Sequence, residues 1–282
     1  MIFGLSAALG WGLADFGGAV SSRRIGSLPT VLIAQGLSAL AMTALLFAGG
    51  HDPGVMSAYL LLLLANGVAS AGAYVSHYHA LELGPVAVVS PIGATYAVVG
   101  VTLAVVFLGE RPGPIALLGG LITVVGVMLT STDLKKLREG THTRAPGLPW
   151  AIVSAVLFGI GGFLLGYFAQ EVGWVTGLWA SRCVQLFAFT ILAITQRHRF
   201  GRVGLHGGLL MALAVGAADL LGVVSFSYGA SKGFLSVVLI ASAVFPLIAV
   251  VLSVGLLHER PAVNQYVGIG LTVLGLVALG LS

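Results

Sequence analysis

Three charged side chains lie within long apolar runs of this sequence, where a charge requires a polar partner or a function. Asp15 is in the first run, Arg182 in the seventh and Asp219 in the eighth. An acidic group in hydrocarbon costs about 2.5–3.5 kcal/mol on insertion scales. Either carboxylate could bind a cationic or amine-bearing compound or carry a proton, and Arg182 could bind a carboxylate. The structural alternative is that each is a static partner in a helix bundle, with Arg182 paired to Asp15 or Asp219.

Uncharged polar and aromatic residues accompany these charges. An indole and an amide lie one helical turn from Arg182 on the same face, and a tyrosine and a histidine stand near the end of the third apolar run. The first two runs add another indole and another amide, although most such groups only bond across helices. The predicted substrate-binding set is Asp15, Arg182, Asp219, Trp11, Gln35, Tyr74, His77, Trp179 and Gln185.

The two histidines at positions 77 and 79 suggest metal chemistry at first sight. On a helix, residues two positions apart point in different directions, so we expect no metal site. One of these histidines is expected to face an interior site, and the other to lie at a membrane interface. Phosphate-loop, Ser-His-Asp and zincin motifs are absent from the sequence, so we expect no cofactor and no enzymatic activity.

The composition indicates which elements position these residues. Of 282 residues, 58% are hydrophobic and 8% are charged, against about 25% charged in soluble domains. The 41 glycines suit close packing of membrane helices. The net charge of +4 arises in short loops rather than on one aromatic-lined face, which favours membrane lipid over nucleic acid as the partner.

We therefore predict an all-α integral membrane protein with ten transmembrane helices, multi-pass in the plasma (inner) membrane. A span needs about 20 mostly apolar residues. Pro91 and Pro246 fall inside spans, where each could be a passive kink or a moving hinge. The predicted spans are 2–20, 29–48, 57–81, 86–108, 113–131, 148–169, 174–196, 205–230, 234–256 and 262–281.

The sequence repeats itself across a hydrophilic stretch near its middle. An offset of 149 residues aligns Glu110-Arg111-Pro112 with Glu259-Arg260-Pro261, and also aligns equivalent glycines of the last span in each half. These turns are expected to anchor loops, and a gating ion pair is the alternative. The equivalent glycines are expected to let helices pack closely. We predict a first repeat at 1–132, a basic linker at 133–147 and a second repeat at 148–282. Because five spans is an odd number, the repeats should be inverted in the membrane.

The chain resembles the EamA-type proteins of the drug/metabolite transporter superfamily. The resemblance is carried by Trp11-Gly12, the Ala80 to Pro85 junction, Pro91 and the twin turns at Gly109 to Pro112 and His258 to Pro261. It implies ten helices around a central cavity, with the fourth, fifth, ninth and tenth as a scaffold. It also implies a small metabolite as the substrate, amino acid-like or amphipathic, which is exported.

The distribution of basic residues and the family resemblance imply opposite orientations in the membrane. Alternate loops carry ten Lys and Arg residues on one side and two on the other, which places both termini outside the cytoplasm. The resemblance implies termini inside, so the orientation stays open.

The function that these observations favour is secondary transport by alternating access at a midplane site. A non-transporting sensor or scaffold, or a flippase for lipid-linked substrates, remains the alternative. Proton coupling also stays open, and the sequence does not predict an oligomeric state.

Overall fold

The computed structural model describes residues 1–84, 86–131, 146–195, 207–248, 251–252 and 263–280. Every regular element within these ranges is helical, which confirms the all-α class. A 3-10 turn at Pro53–Tyr59 and a π segment at Ala169–Gly173 join longer helices. The helices are α1 (Ile2–Ile25), α2 (Ser27–Ala48), α3 (Leu60–Leu83), α4 (Val86–Ala94), α5 (Tyr96–Phe107), α6 (Pro114–Ser131), α7 (Leu148–Phe168), α8 (Trp174–Thr195), α9 (Gly207–Ala230), α10 (Leu235–Ser242) and α11 (Val263–Gly280).

Four helical segments are long and apolar enough to cross a membrane. They are Ser27–Ala48, Pro53–Leu83, Leu148–Thr195, which contains both α7 and α8, and Gly207–Ala230. Other apolar helical segments in the described ranges are shorter, including Ile92–Phe107 and Leu235–Ile248, each of which contains a tight turn. The count of ten crossings therefore stays a prediction.

The span predicted over 86–108 is divided into two helices, α4 and α5. The break lies at Thr95, four residues after Pro91. There the Thr95 amide donates to the Ile92 carbonyl oxygen at 3.1 Å, and its hydroxyl donates to the same oxygen at 2.6 Å. These three-residue bonds replace the four-residue bonds of an α-helix, which ends α4. The side chain of Pro91 lies outside the described residues.

A second break follows α10, inside the span predicted over 234–256. Around Pro246, the amides of Phe245, Leu247 and Ile248 donate to carbonyl oxygens three residues earlier, at 2.9–3.3 Å. Proline has no backbone N–H, so an α-helix would also lack a hydrogen bond at this position. A tight turn here therefore sacrifices few hydrogen bonds. The two breaks occupy equivalent positions, because Thr95 and Val244 are 149 residues apart.

Glycines bring α6 and α11 into close contact, as the glycine spacing predicted. A β-carbon at Gly126 would lie 2.5 Å from the Thr272 amide nitrogen, and one at Gly275 would lie 2.6 Å from that of Thr123. No side chain fits at such distances without a backbone shift. Because position 126 meets 272 while 123 meets 275, the two helices run antiparallel.

Six of the other helices pack in antiparallel pairs, α1 with α9, α3 with α7 and α2 with α8. A β-carbon at Gly12 of α1 would lie 2.7 Å from the Phe245 carbonyl oxygen. One at Gly159 of α7 would lie 2.8 Å from the Tyr96 carbonyl oxygen. The first helix of each half is therefore pressed against a helix break, and the space between these pairs holds the polar residues of the interior.

The Glu110 turn links the two halves of the chain. The buried Glu110 carboxylate accepts hydrogen bonds from the amides of Leu235 at 2.6 Å and Ser236 at 3.0 Å. It therefore caps the N-terminus of α10, where a negative charge is favourable. The first turn thus anchors structure, as expected, through two backbone amide groups. The second turn, His258 to Pro261, lies outside the described residues.

Candidate functional site

A cavity of about 90 Å³ lies among α1, α3, α5, α7, α8 and α9, with room for several water molecules. Both acids singled out in the sequence line it, as does the buried arginine. Its polar and charged lining consists of Asp15, Ser70, Tyr74, His77, Tyr78, Tyr96, Arg182, Gln185 and Asp219.

On the α8–α9 side, Asp219 forms an ion pair with Arg182. The Asp219 Oδ2 atom accepts from Arg182 Nη2 at 2.9 Å and from Gln35 Nε2 at 3.2 Å. Its Oδ1 atom accepts from the Tyr74 hydroxyl at 2.8 Å. The side chains of Arg182 and Asp219 are 1% and 3% exposed, so the charges are desolvated and depend on each other.

The guanidinium of Arg182 is held by further contacts from three helices. Its Nη1 atom donates to Gln185 Oε1 at 2.9 Å, to the Tyr74 hydroxyl at 3.3 Å and to Gln35 Oε1. Its carbon atom lies 5.4 Å from the centre of the Tyr74 ring. This network fixes the position of the cation and leaves Asp219 with three donors.

Opposite, Asp15 of α1 has a different set of partners. Its Oδ1 atom lies 3.0 Å from His77 Nε2, and its Oδ2 atom accepts a hydrogen bond from the Ser90 hydroxyl. The other ring nitrogen of His77 is 3.5 Å from the Ser154 hydroxyl, which donates to the Ala151 carbonyl oxygen at 2.8 Å. The only basic partner of Asp15 among the described residues is therefore an imidazole, which can be neutral or charged.

Aromatic rings form the apolar part of the wall. Trp11 packs against Phe226 with ring centres 5.5 Å apart and against Tyr96 at 6.1 Å. Tyr74 meets Phe158 edge-on at 5.0 Å. The cavity thus presents rings and charged groups to the same small volume.

Tyr96 connects the two helix breaks at the cavity. It begins α5, immediately after the break at Thr95, and its hydroxyl bonds to the Ser242 hydroxyl at the end of α10. A second, longer contact of 3.4 Å reaches the Leu239 carbonyl oxygen. The broken helices of the two halves are therefore tied directly to each other.

The structure brings most of the predicted set to one place. The members that line the cavity are Trp11, Asp15, Tyr74, His77, Arg182, Gln185 and Asp219. Gln35 is fully buried behind them and holds Arg182 and Asp219. Trp179 does not line the cavity, because its indole N–H donates to Thr43 of α2 at 3.1 Å. Pro246 lies at the second break, outside the lining.

Sequence reasoning missed Ser90, Tyr78 and several rings of the wall. The internal repeat carried a signal for some of them. Phe158 is 147 positions after Trp11, and Phe245 is 149 positions after Tyr96. Each of these residues lines the cavity, so the repeat offsets relate wall residues on opposite sides. Gln35 and Arg182, which bond to each other, are likewise 147 positions apart.

Among the described residues, no group of three His, Cys, Asp or Glu side chains is arranged to hold a metal ion. The histidine next to the site, His79, is half-buried and lies 3.4 Å from Glu82, with its ring against Trp150. It is therefore separate from the cavity.

Comparison with known proteins identifies a family and a shared fold. The model of the EamA-like transporter family matches residues 1–132 and 145–281. A solved structure described only as "Crystal structure of protein" has the same fold, with a TM-score of 0.73 and 18% identity, over 99% of this chain and 96% of the other. No curated protein matches the chain.

Proposed function

Because the chain belongs to the EamA-like transporter family, a group of multi-pass membrane proteins of the drug/metabolite transporter type, we propose that it is a secondary transporter. It moves a small metabolite by alternating access through the central cavity. The observation that carries this proposal is the meeting of Asp15, Arg182 and Asp219 around one cavity in an otherwise apolar bundle. Charged groups in the interior of a membrane bundle are expensive and mark substrate or ion pathways.

The contacts between the halves support two inverted repeats and ten crossings. The equivalent helices α6 and α11 run antiparallel and exchange equivalent contacts, Gly126 with Thr272 and Gly275 with Thr123. Gly12 meets the break at Phe245 as Gly159 meets the break at Tyr96. Reciprocal contacts of this kind are expected from a pseudo-two-fold axis in the membrane plane, which is typical of secondary transporters.

The paired breaks supply a means of opening. Interrupted helices in transporters lie at the binding site, where non-helical backbone lines a cavity. Here Pro91 precedes the first break and Pro246 lies at the second, and Tyr96 joins the breaks through Ser242. We propose that these prolines are hinges and that the Tyr96–Ser242 contact breaks when one half rocks against the other.

The lining indicates the class of cargo. Aromatic rings and ionisable groups share a small volume, which suits a compact amphipathic metabolite better than a lipid-linked sugar. Export across the plasma membrane is the direction that we propose, on the family resemblance.

A metabolite-secretion experiment tests this function. Cells overproducing the wild-type chain should accumulate one or more small metabolites in the medium, measured by mass spectrometry against cells with an empty vector. Asp15→Asn and Asp219→Asn should lose this accumulation. Glu82→Gln should keep it, because Glu82 lies outside the cavity.

The outcomes separate transport from the scaffold alternative, which the closed Arg182–Asp219 ion pair favours. Transport predicts that Asp15→Asn remains folded by size-exclusion chromatography while secretion is lost. A medium identical to that of the empty-vector cells, with wild-type protein present in the membrane, would refute transport of cellular metabolites.

A further inference from the structure

We propose that the cavity contains an apolar subsite, formed by Gly162, Phe226 and Leu239, which binds the compact apolar end of an amphipathic metabolite while the polar end lies on the charged side of the cavity. This inference rests on the proposed transport function and specifies its substrate class. The internal repeat, the space beside Gly162 and the polarity of its neighbours carry it.

The internal repeat relates Gly162 to Asp15. Gly162 of α7 is 147 positions after Asp15 of α1, which is the offset that also separates Phe158 from Trp11. The two partners of the Asp15 carboxylate have equivalents as well, at the offset of 149 positions that aligns the later helices of the two halves. The equivalent pairs are Asp15 with Gly162, His77 with Phe226 and Ser90 with Leu239.

The structure brings both sets of three residues together. The polar set meets through the contacts of the carboxylate with the imidazole and the hydroxyl. In the other set, a β-carbon at Gly162 would lie 3.6 Å from Leu239 Cδ2 and 3.8 Å from Phe226 Cζ. The cavity therefore has two subsites that occupy equivalent places in the two halves of the chain.

The rings beside the two subsites repeat the same arrangement. Phe158 packs against His77 with ring centres 5.6 Å apart, and Trp11 packs against Phe226 at 5.5 Å. The residues of one contact are equivalent to those of the other by the same two offsets. The correspondence thus extends beyond the three residues of each subsite.

Glycine at position 162 leaves space that a side chain occupies at the equivalent position. The neighbours of its missing β-carbon lie at ordinary van der Waals distances, and the third of them is Tyr96 Cε2 at 4.0 Å. Gly162, Phe226 and Tyr96 all line the cavity, so this space is continuous with it. A group of a bound solute can therefore enter where the first half of the chain has a carboxylate.

The neighbours of this space are apolar. The three nearest atoms are all carbon, and Phe226 and Leu239 are fully buried. The Tyr96 hydroxyl is directed to the Ser242 hydroxyl. A polar group placed here would lose its hydrogen bonds to water without replacement, whereas an apolar group gains free energy by leaving water.

The cavity is thus related by the repeat in its positions but divided in its chemistry. A solute with a hydrogen-bonding group at one end and a compact apolar group at the other suits both sides at once. Since its polar end is rejected by the apolar subsite, such a solute binds in one orientation. The missing side chain at Gly162 sets the size of apolar group that fits.

Binding of three primary amides to the purified full-length chain tests this inference. Acetamide, isovaleramide and phenylacetamide share an uncharged polar end and differ in the apolar end. We expect isovaleramide and phenylacetamide to bind at least about tenfold more tightly than acetamide, because each buried methylene contributes about fourfold in affinity. Calorimetry measures the three dissociation constants.

Gly162→Ala places one methyl group in the subsite. The distances of 3.6–4.0 Å leave room for this methyl without a backbone shift, so the variant should fold. It should bind phenylacetamide at least about fivefold more weakly than wild type, because the subsite becomes overpacked. Its affinity for acetamide should stay within about twofold of wild type.

Gly36→Ala is the matched control. A β-carbon at Gly36 of α2 has no neighbour within 4 Å, and the residue does not line the cavity. The control gains the same helix propensity as Gly162→Ala and should bind all three amides as wild type does. Uptake of the amides by detergent is the same for all these proteins, so a difference between the two variants reports the subsite.

The outcomes distinguish this inference from the proposed function. Wild-type protein that binds the three amides equally, or binds none of them, overturns the inference whether or not the variants fold. A Gly162→Ala variant that binds phenylacetamide as tightly as wild type also overturns it. Metabolite secretion together with equal binding of the amides leaves transport standing and refutes the subsite. Graded binding without metabolite secretion refutes transport and leaves the subsite as a binding pocket.

Discussion

Two carboxylates face the same cavity but are neutralised in different ways. Asp219 lies against a permanent cation, with donors from Arg182, Gln35 and Tyr74. Asp15 lies against an imidazole and a hydroxyl and is more open to the cavity. The first carboxylate is paired with a side chain that is always charged, and the second with one that can be neutral.

Burial alone therefore does not distinguish the two carboxylates. Removing one partner of a buried ion pair leaves an uncompensated charge and is strongly destabilising. The imidazole beside Asp15 can be neutral or charged, so Asp15 has no permanent cation among the described residues.

Arg182→Gln should have the largest effect on stability. It leaves the Asp219 carboxylate buried without its cation, which costs about 3–5 kcal/mol in comparable buried pairs. Unfolding by SDS of the purified protein, followed by circular dichroism, measures the loss. The double variant Arg182→Gln/Asp219→Asn should recover much of it, since no lone charge remains. Failure of the double variant to recover any stability would show that the ion pair is not what the single variant breaks.

Asp15→Asn should separate function from stability. We expect a loss of about 1 kcal/mol or less, because the amide can still bond to Ser90 or His77. Metabolite secretion should nevertheless be lost. The same SDS titration, run beside the secretion assay, tests both halves of this expectation. A loss as large as that of Arg182→Gln would remove the distinction between the two carboxylates.

Tyr74→Phe should weaken the Asp219 side by a smaller amount. The variant loses the hydroxyl that donates to Asp219 and accepts from Arg182, worth about 1 kcal/mol net. Tyr78→Phe is the matched control, because the Tyr78 hydroxyl makes no hydrogen bond within the described part of the chain. Its ring stacks on that of Tyr74 at 6.4 Å, so both rings keep their packing. Equal thermal midpoints for the two variants would contradict a role for the Tyr74 hydroxyl in the network.

Ser154→Ala should have the smallest effect. Its stability should change by about 0.5 kcal/mol or less, because its contact with His77 is long at 3.5 Å. Metabolite secretion should stay near the wild-type level, and the thermal midpoint of the purified variant measures the change in stability. A loss of stability as large as that of Tyr74→Phe would contradict a weak contact between Ser154 and His77.

Much of the site could be predicted from the sequence, because hydrocarbon penalises charges one residue at a time. Asp15, Arg182 and Asp219 were recognisable as exceptions within apolar runs. The sequence could not show that Gln185 lines the cavity and Trp179 does not, since both lie one turn from Arg182. The two side chains diverge because α2 packs on α8 and offers Thr43 to the indole.

In the fold, too, some features follow from neighbouring residues in the sequence and others depend on contacts between distant segments. Apolar length and composition predicted the helices, and the 149-residue offset predicted equivalent glycines on α6 and α11. The break at Thr95 was not predicted as the end of a helix, although Pro91 indicated a bend. The position of this break depends on a distant contact, because the Tyr96 hydroxyl, one residue after it, bonds to Ser242 in the other half of the chain.

By itself the sequence determined that the chain is helical and apolar, that it repeats, and which few charges its interior must accommodate. The tertiary structure alone decided which acid received the permanent cation. That choice depends on distances of a few Å between helices far apart in sequence. Close approaches such as that of Gly10 to Gly222, 2.5 Å from a β-carbon to an amide nitrogen, fix those distances and have no counterpart in local periodicity.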